Sequence, residues 1–282
     1  MNRSGLLCLV ACWLVSAAAC AAGTLAQFRT VFGDIEVELY DRDKPVTVQN
    51  FIRYVESGAY QNEFAHRLVP GFVIQGGGFI ITNRGTTNAE FVAVPTFAAI
   101  TNEFGVGRRF SNVFGTIAMA KLGGNTNSAT SQWFFNLANN TFLDANDTNN
   151  LFVVFGRVVR GTNVLNSFNQ FQYWDGTQTK NLVYNWGSPF DNLPLLHPSI
   201  TDSNFVFLDI TLLQLTARLL PGGGRLLSWN SPTGLTNIVE FTTSLPPVWQ
   251  TLVQTNGTGS QLSIIDSTAA DKTRMYRIRV PY

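Results

Sequence analysis

The sequence predicts a mainly β fold: a closed antiparallel β-barrel capped by two helices, with a small β-sandwich-like module after it. Three observations predict it. First, the 282 residues include 24 glycines and 22 phenylalanines, with many Val, Thr and Asn, a composition of strands and turns. Second, short apolar runs return along the chain, each bounded by Gly, Asn or Asp, as strands separated by turns require. Third, helical spacing shows in two segments alone, so helices cap this architecture and do not build it. Apolar residues make up 45% against 13% charged, which marks an ordered, core-building chain and excludes intrinsic disorder. Lys plus Arg number 19 against 18 acids, a balance that offers no surface for a polyanion such as nucleic acid.

The N-terminal stretch MNRSGLLCLVACWLVSAAACAAG has a basic start at Arg3, an apolar run from Gly5 to about Val15, and then small residues. That three-part layout is expected of a secretory signal peptide over residues 1–22, and the run is too short for a comfortable membrane span. Ala17 with Ala19, or Ala19 with Ala21, supply the small pair ahead of a cut. An acylated Cys20 is the alternative, although Ala17 stands where a lipoprotein signal carries a larger aliphatic. Cys8, Cys12 and Cys20 are the three cysteines, so an exported chain starting near residues 20–27 is expected to contain no disulfide. The product is expected in the periplasm or outside the cell.

FRTVFGDIEVELY, from Phe28 to Tyr40, has two alternating runs split by Gly33 and Asp34, the pattern of a β-hairpin. Pro45 then opens a helix in which Val48, Phe51, Ile52 and Val55 share one face, with Gly58 after it as a C-cap. Apolar runs at 68–74, 113–120, 132–137 and 151–159 read as strands, and NVLNSF at 163–168 as a second, short helix. FVFLDITLL at 205–213 closes the series. The Trp-, Tyr- and Asn-rich stretch 169–204 has little periodicity and is expected as a surface insertion before that last strand. The barrel domain then takes residues 27–215. PGGG at 221–224 marks a linker, placed over 216–224. Residues 225–282 carry about five short strand candidates, RLLSWN, IVEFTTS, WQTLV, QLSIID and RMYRIRV, and read as the small β module.

Several chemistries find no support. Outside the N-terminal segment the histidines are His66 and His197, without paired-ligand spacing, so no metal and no cofactor are expected. G-x-S-x-G and G-K-[ST] are absent, which removes a hydrolase triad and a phosphate loop. One apolar stretch, FAHRLVPGFVIQGGGF at 64–79, nevertheless carries an arginine that a structural strand has no need of. Together with GTIAMAKLGGNTNSATSQWFFNLANNTFLD and FVVFGRVVRG, it resembles the cyclophilin family of peptidyl-prolyl cis-trans isomerases, over about Phe28 to Leu213. The F-x-x-R-x-x-P-x-F-x-x-Q-G-G run with a downstream T-S-Q-x-F is specific, and its wording is closest to bacterial members.

The resemblance implies isomerisation of X-Pro bonds, with Arg67 as the catalytic donor and proline-containing polypeptides as partners. Phe72, Phe134 and Leu143 are then expected to line an apolar proline pocket. Gln75 is expected to hold the arginine or the substrate backbone, with Gln132 beside it. Backbone groups at Ala120 and Lys121 are expected to bind the residue before the proline as an added strand, the Lys121 side chain being solvated. Phe142 stands where many members carry tryptophan, and Phe152 replaces a polar residue at the pocket edge; the first departure bears on cyclosporin binding, not on isomerisation. His66 is expected as a neighbour without a proton-transfer role. Taken singly, the arginine would read as a surface residue and the phenylalanines as core; the combined motif reverses that. Two functions follow: a monomeric exported isomerase that assists folding of secreted proteins, or a non-enzymatic, chaperone-like proline-peptide binder whose tail adds a second contact. An intact Arg67, Phe72 and Gln75 favour the enzyme.

Overall fold

A hairpin starts the fold in the computed structural model, which describes residues 24–145, 147, 149–231, 235–258, 260–269 and 273–279. The expected signal segment, with its three cysteines, lies outside the described residues. Strands β1 (Leu25–Thr30) and β2 (Gly33–Leu39) pair antiparallel, and Thr30 faces Gly33. The tip is therefore Val31–Phe32 and not Gly33–Asp34: Gly33, at φ +121°, begins the returning strand. Thr30 Oγ1 accepts from Phe32 N at 3.0 Å and ties this tip down.

Helix α1 (Pro45–Glu56) buries Val48, Phe51 and Ile52, as its spacing predicts. No local side chain caps its start. Instead the remote Glu103 carboxylate accepts from Val46 N at 3.1 Å and from Thr47 N at 2.7 Å, satisfying N–H groups that a helix leaves open. Next come β3 (Arg67–Val69), β4 (Val73–Gly76), an unforeseen hairpin of β5 (Phe79–Thr82) and β6 (Glu90–Ala93), and then β7 (Thr116–Met119), β8 (Trp133–Asn136) and β9 (Val154–Arg160). Helix α2 (Thr162–Ser167) follows as the second helix.

Residues 169–204 are more structured than their composition predicts. They hold β10 (Gln172–Tyr173), β11 (Leu182–Tyr184) and β12 (Leu193–Leu195), a small sheet of its own. Leu182, Leu193 and Leu195 pack with Phe64, Ile81 and Phe205 into a second core, so this segment is part of the packed body and not a surface excursion. The apolar residues that do this have no regular period, because the strands are two or three residues long.

β13 (Asp209–Leu213) completes an eight-stranded antiparallel sheet in the order β13-β1-β2-β9-β7-β8-β4-β3. Its two end strands approach each other through the residues just before them. Phe64 bridges Phe207, Ala65 N donates to Val206 O at 2.9 Å, and Leu208 N donates to Glu63 O at 3.2 Å. The curled sheet encloses Phe28, Ile35, Phe51, Leu68, Phe135 and Phe155, all fully or almost fully buried.

The region expected as a linker is a strand. β14 (Leu215–Leu219) pairs with β15 (Arg225–Asn230), and Pro221–Gly224 is the turn between them. A single residue, Gln214, separates β13 from β14. β16 (Thr236–Thr242), β17 (Gln250–Asn256), β18 (Gln261–Asp266) and β19 (Met275–Arg279) follow close to the expected runs. They form two three-stranded sheets, β14-β15-β18 and β17-β16-β19, over a core of Leu227, Trp229, Val239 and Ile278. Leu213 and Leu25 of the barrel belong to that same core. Among the described residues no helix is long and apolar enough to cross a membrane.

Candidate active site

Strand alternation sorts this stretch of the sheet into an inner and an outer face. Leu68, Ile74, Phe135 and Ile117 point into the barrel core. Their neighbours Arg67, Gln75, Phe134 and Ala118 face outwards and stand opposite one another in register across β3, β4, β8 and β7. One row thus carries an arginine, an amide and an aromatic ring, which is why residues far apart in the chain meet. The β3–β4 turn sets the position of Phe72. Val69 O accepts from Phe72 N at 2.9 Å around Pro70 and Gly71, and Gly71 has φ +72°, the left-handed conformation that the third position of a type II turn needs.

The row floors an open cleft of about 570 Å³, mouth included, bordered by Arg67, Phe72, Gln75, Phe134, Leu143 and Phe152. Arg67 is half-buried, with its guanidinium carbon 5.7 Å from the Phe72 ring centre. Burial lowers its pKa, an effect that the nearby Tyr173 phenol partly offsets. An arginine so placed stays charged and presents a fixed fork of donors. Phe134 and Leu143 are buried, and Phe152 meets Phe134 edge-on at 5.7 Å. Phe142 stacks on Phe72 at 5.7 Å but is 59% exposed, so it forms the rim and not the wall.

Three details refine the expectation. Gln75 Nε2 donates to Gln132 Oε1 at 2.7 Å, so the two amides hold each other and Gln75 does not hold the arginine. Ala120 N donates to Gln132 O at 2.9 Å, which engages that N–H within the sheet. The Lys121 side chain, partly exposed, is also held at the cleft's edge: its ammonium sits 4.7 Å from the Phe152 ring centre and donates to Asn149 O at 3.2 Å. His66 is buried edge-on to Phe79, and burial together with the Arg67 charge lowers its pKa to about 4. It is neutral at physiological pH.

Beneath the cleft lies a buried amide network that the motif reading did not include. Asn136 Nδ2 donates to Asn112 Oδ1 at 3.0 Å and to Thr116 Oγ1 at 2.9 Å. Asn140 Nδ2 donates to Asn136 Oδ1 and to Phe72 O, both at 2.8 Å. Asn112 Nδ2 reaches Asp144 Oδ1 at 2.7 Å and Phe152 O at 3.1 Å. The network joins the backbone of Phe72, the 3-10 turn Thr141–Asp144 that bears Phe142 and Leu143, and the backbone of Phe152. One signal was present in the sequence: Asn136 ends the apolar run WFFN, where a polar residue needs a buried partner. The chain around Gly77 is equally tight. A Cβ there would lie 2.4 Å from Ser131 O, and its N–H donates to the fully buried Glu63 at 2.8 Å.

Residues 25–185 match the family described as cyclophilin type peptidyl-prolyl cis-trans isomerase. The chain is 42% identical over 152 residues to a peptidyl-prolyl cis-trans isomerase of Acinetobacter baylyi, covering 54% of this chain and 74% of that protein. It is 37% identical over 176 residues to isomerase A of Dickeya dadantii, covering 62% and 81%. Against isomerase B of Escherichia coli it is 35% identical over 144 residues, covering 50% and 81%.

Proposed function

The chain belongs to the cyclophilin-type peptidyl-prolyl cis-trans isomerase family, and we propose that it isomerises X-Pro bonds of exported polypeptides in the Arg67 cleft. One observation carries the site: a half-buried guanidinium shares a wall with the apolar rings Phe72 and Phe134. Rotation about an X-Pro bond faces a barrier of ~18–20 kcal/mol, because the nitrogen lone pair is delocalised into the carbonyl. At the perpendicular transition state that lone pair is localised on nitrogen. A donor aimed there binds the transition state better than either planar ground state, and the apolar walls strengthen it by excluding water. No proton moves and no covalent bond forms, which fits a neutral His66 beside the arginine. In this reading the proline lies against Phe72, Phe134 and Leu143, and the preceding residue runs past Ala120 and Lys121. The isomerase domain is the barrel of residues 27–215, acting as a monomer. Export and periplasmic or extracellular location rest on the layout of residues 1–22, with cleavage favoured over acylation at Cys20. Assistance to folding follows because uncatalysed X-Pro exchange takes tens to hundreds of seconds.

The test is a prolyl-peptide isomerisation assay on Arg67 variants. Arg67→Ala is expected to keep the fold and lower kcat/KM by about two to three orders of magnitude, the ~2.7–4 kcal/mol of one preorganised donor. Arg67→Lys recovers part, because an ammonium lacks the planar fork that lies by Phe72. Proline-peptide affinity falls far less than turnover, as a contact made in the transition state requires. Equal losses of affinity and turnover would instead support the non-enzymatic peptide binder.

A further inference from the structure

The row across the sheet gives a substrate a direction. Ala118, Phe134, Gln75 and Arg67 stand on four consecutive strands. With strands ~4.8 Å apart, the row spans roughly 14 Å, about four residues of extended chain. In the proposed reading, a polypeptide with its proline between Phe134 and Phe72 and its preceding residue at Ala120 and Lys121 carries its following residues out past Arg67. β3 is the last strand of the sheet on that side. What lies beyond it is the 169–204 segment.

That segment is pinned to the β3–β4 hairpin at two points, Leu68 next to Arg67 and Gly71 at the turn. Asn169 Oδ1 accepts from Gly71 N at 2.8 Å while its Nδ2 donates to Leu137 O at 3.0 Å. Asn192 O accepts from Leu68 N at 2.7 Å. Between the anchors, Tyr173 pairs with Val183, and Trp174 N donates to Val183 O at 2.9 Å. Trp174 lies 5.1 Å from Tyr184. Leu182, Val183 and Leu193 beneath are buried, so the rings have a rigid backing. Yet Tyr173 is 55% and Trp174 41% exposed, in a segment whose own packing is already supplied by its leucines. Aromatic rings left in solvent on a fixed support, a few residues along the chain from the Asn169 anchor at Gly71, serve a ligand and not the core.

We propose that Tyr173 and Trp174 form an aromatic ledge that binds the residues following the proline of the substrate, selecting chains with an aromatic or large apolar residue there. The proximity of Tyr173 to Arg67 agrees with this placement, since its phenol partly offsets the burial that lowers the arginine's pKa. The ledge rests on the reading that the Arg67 cleft holds the X-Pro bond.

The experiment measures kcat/KM of the full chain with two peptides that share one X-Pro bond and differ in having Phe or Gly after the proline. Tyr173→Ala, Trp174→Ala and the double variant are expected to lower kcat/KM for the Phe peptide by about three- to tenfold, the strength of one or two ring contacts. The Gly peptide is expected to change less than about twofold, and Tyr173→Phe keeps the wild-type preference. Both side chains are exposed, so circular dichroism and urea unfolding of the variants should match wild type. An equal loss on both peptides, or no loss on either, overturns the ledge while leaving the isomerase site intact. A wild-type chain inactive on both peptides overturns the functional reading itself, and the ledge with it.

Discussion

His66 is joined to Arg67 in sequence but has the opposite electrostatic fate. Burial and the adjacent guanidinium lower its pKa from the ordinary 6.5 to about 4, so it is uncharged where the enzyme works. The activity profile is accordingly expected to be flat from about pH 5.5 to 8. A wave near 6.5 that vanishes in His66→Gln would show a proton role that this geometry does not support. Stability responds differently. Between pH 4 and 6.5 the unfolded chain takes up a proton that the folded chain refuses, so His66 weakens the fold as pH falls through that window. The full swing is ~3 kcal/mol, from 1.36 kcal/mol per unit. Glu63 acts in the other sense: burial raises its pKa well above 4.5, so its contribution to stability is lost as pH rises. Urea unfolding of His66→Gln against wild type at several pH values isolates the histidine, and the difference between them should grow below pH 6.5.

At the scale of elements, the cleft depends on a short turn with little hold of its own. The 3-10 turn Thr141–Asp144 has no side-chain cap, and Phe142 at its tip is exposed. What positions it is the amide network, above all Asn140, which links Phe72 O to Asn136 Oδ1. Asn140→Ala removes both hydrogen bonds, leaving Asn136 Oδ1 without that donor and Phe72 O with Leu137 N alone. Each such loss costs ~1–3 kcal/mol, and the destabilisation should be read by urea unfolding. Because Phe72, Phe142 and Leu143 are all held through this point, KM for a proline peptide is expected to rise more than kcat falls, since Arg67 on β3 keeps its own support. A variant with full stability and unchanged KM would show that the network holds nothing the substrate uses.

For the whole molecule, the join between barrel and tail is the question that truncation can answer. The tail core takes in Leu25 and Leu213 of the barrel, on the β1–β13 side, whereas the cleft lies on β3, β4, β7 and β8. A chain ending at Gln214 is expected to keep kcat/KM within about twofold of wild type. It should melt earlier, because exposing two leucines costs ~3 kcal/mol in total. Ending near Leu220 instead keeps β14 but removes its partner β15, leaving a bare strand edge. That product is expected to aggregate more readily than the shorter one, as gel filtration would report. A tenfold loss of activity in the Gln214 chain would mean that the tail shapes the cleft.

The sequence by itself determined what short-range pattern controls. Strand alternation and helical spacing marked the hairpin from Phe28, α1 with Pro45 at its start, β7 to β9, and RLLSWN and QLSIID as strands. The chemistry was implied by the family resemblance that the spaced motif around Arg67 carries, and Pro70–Gly71 makes the turn whose ends put Arg67 and Phe72 on one side. Tertiary structure alone decided the rest. Pro221–Gly224 reads equally as a flexible joint or a tight turn, and the choice lies with β14 finding β15 as a partner. Gln75 bonds Gln132, not Arg67, because cross-strand register brings β4 against β8 at that level. The amide network and the anchoring of the Tyr173–Trp174 surface unite residues up to 98 positions apart. No local period records such contacts, since each is satisfied only after the sheet has curled and set its outer face.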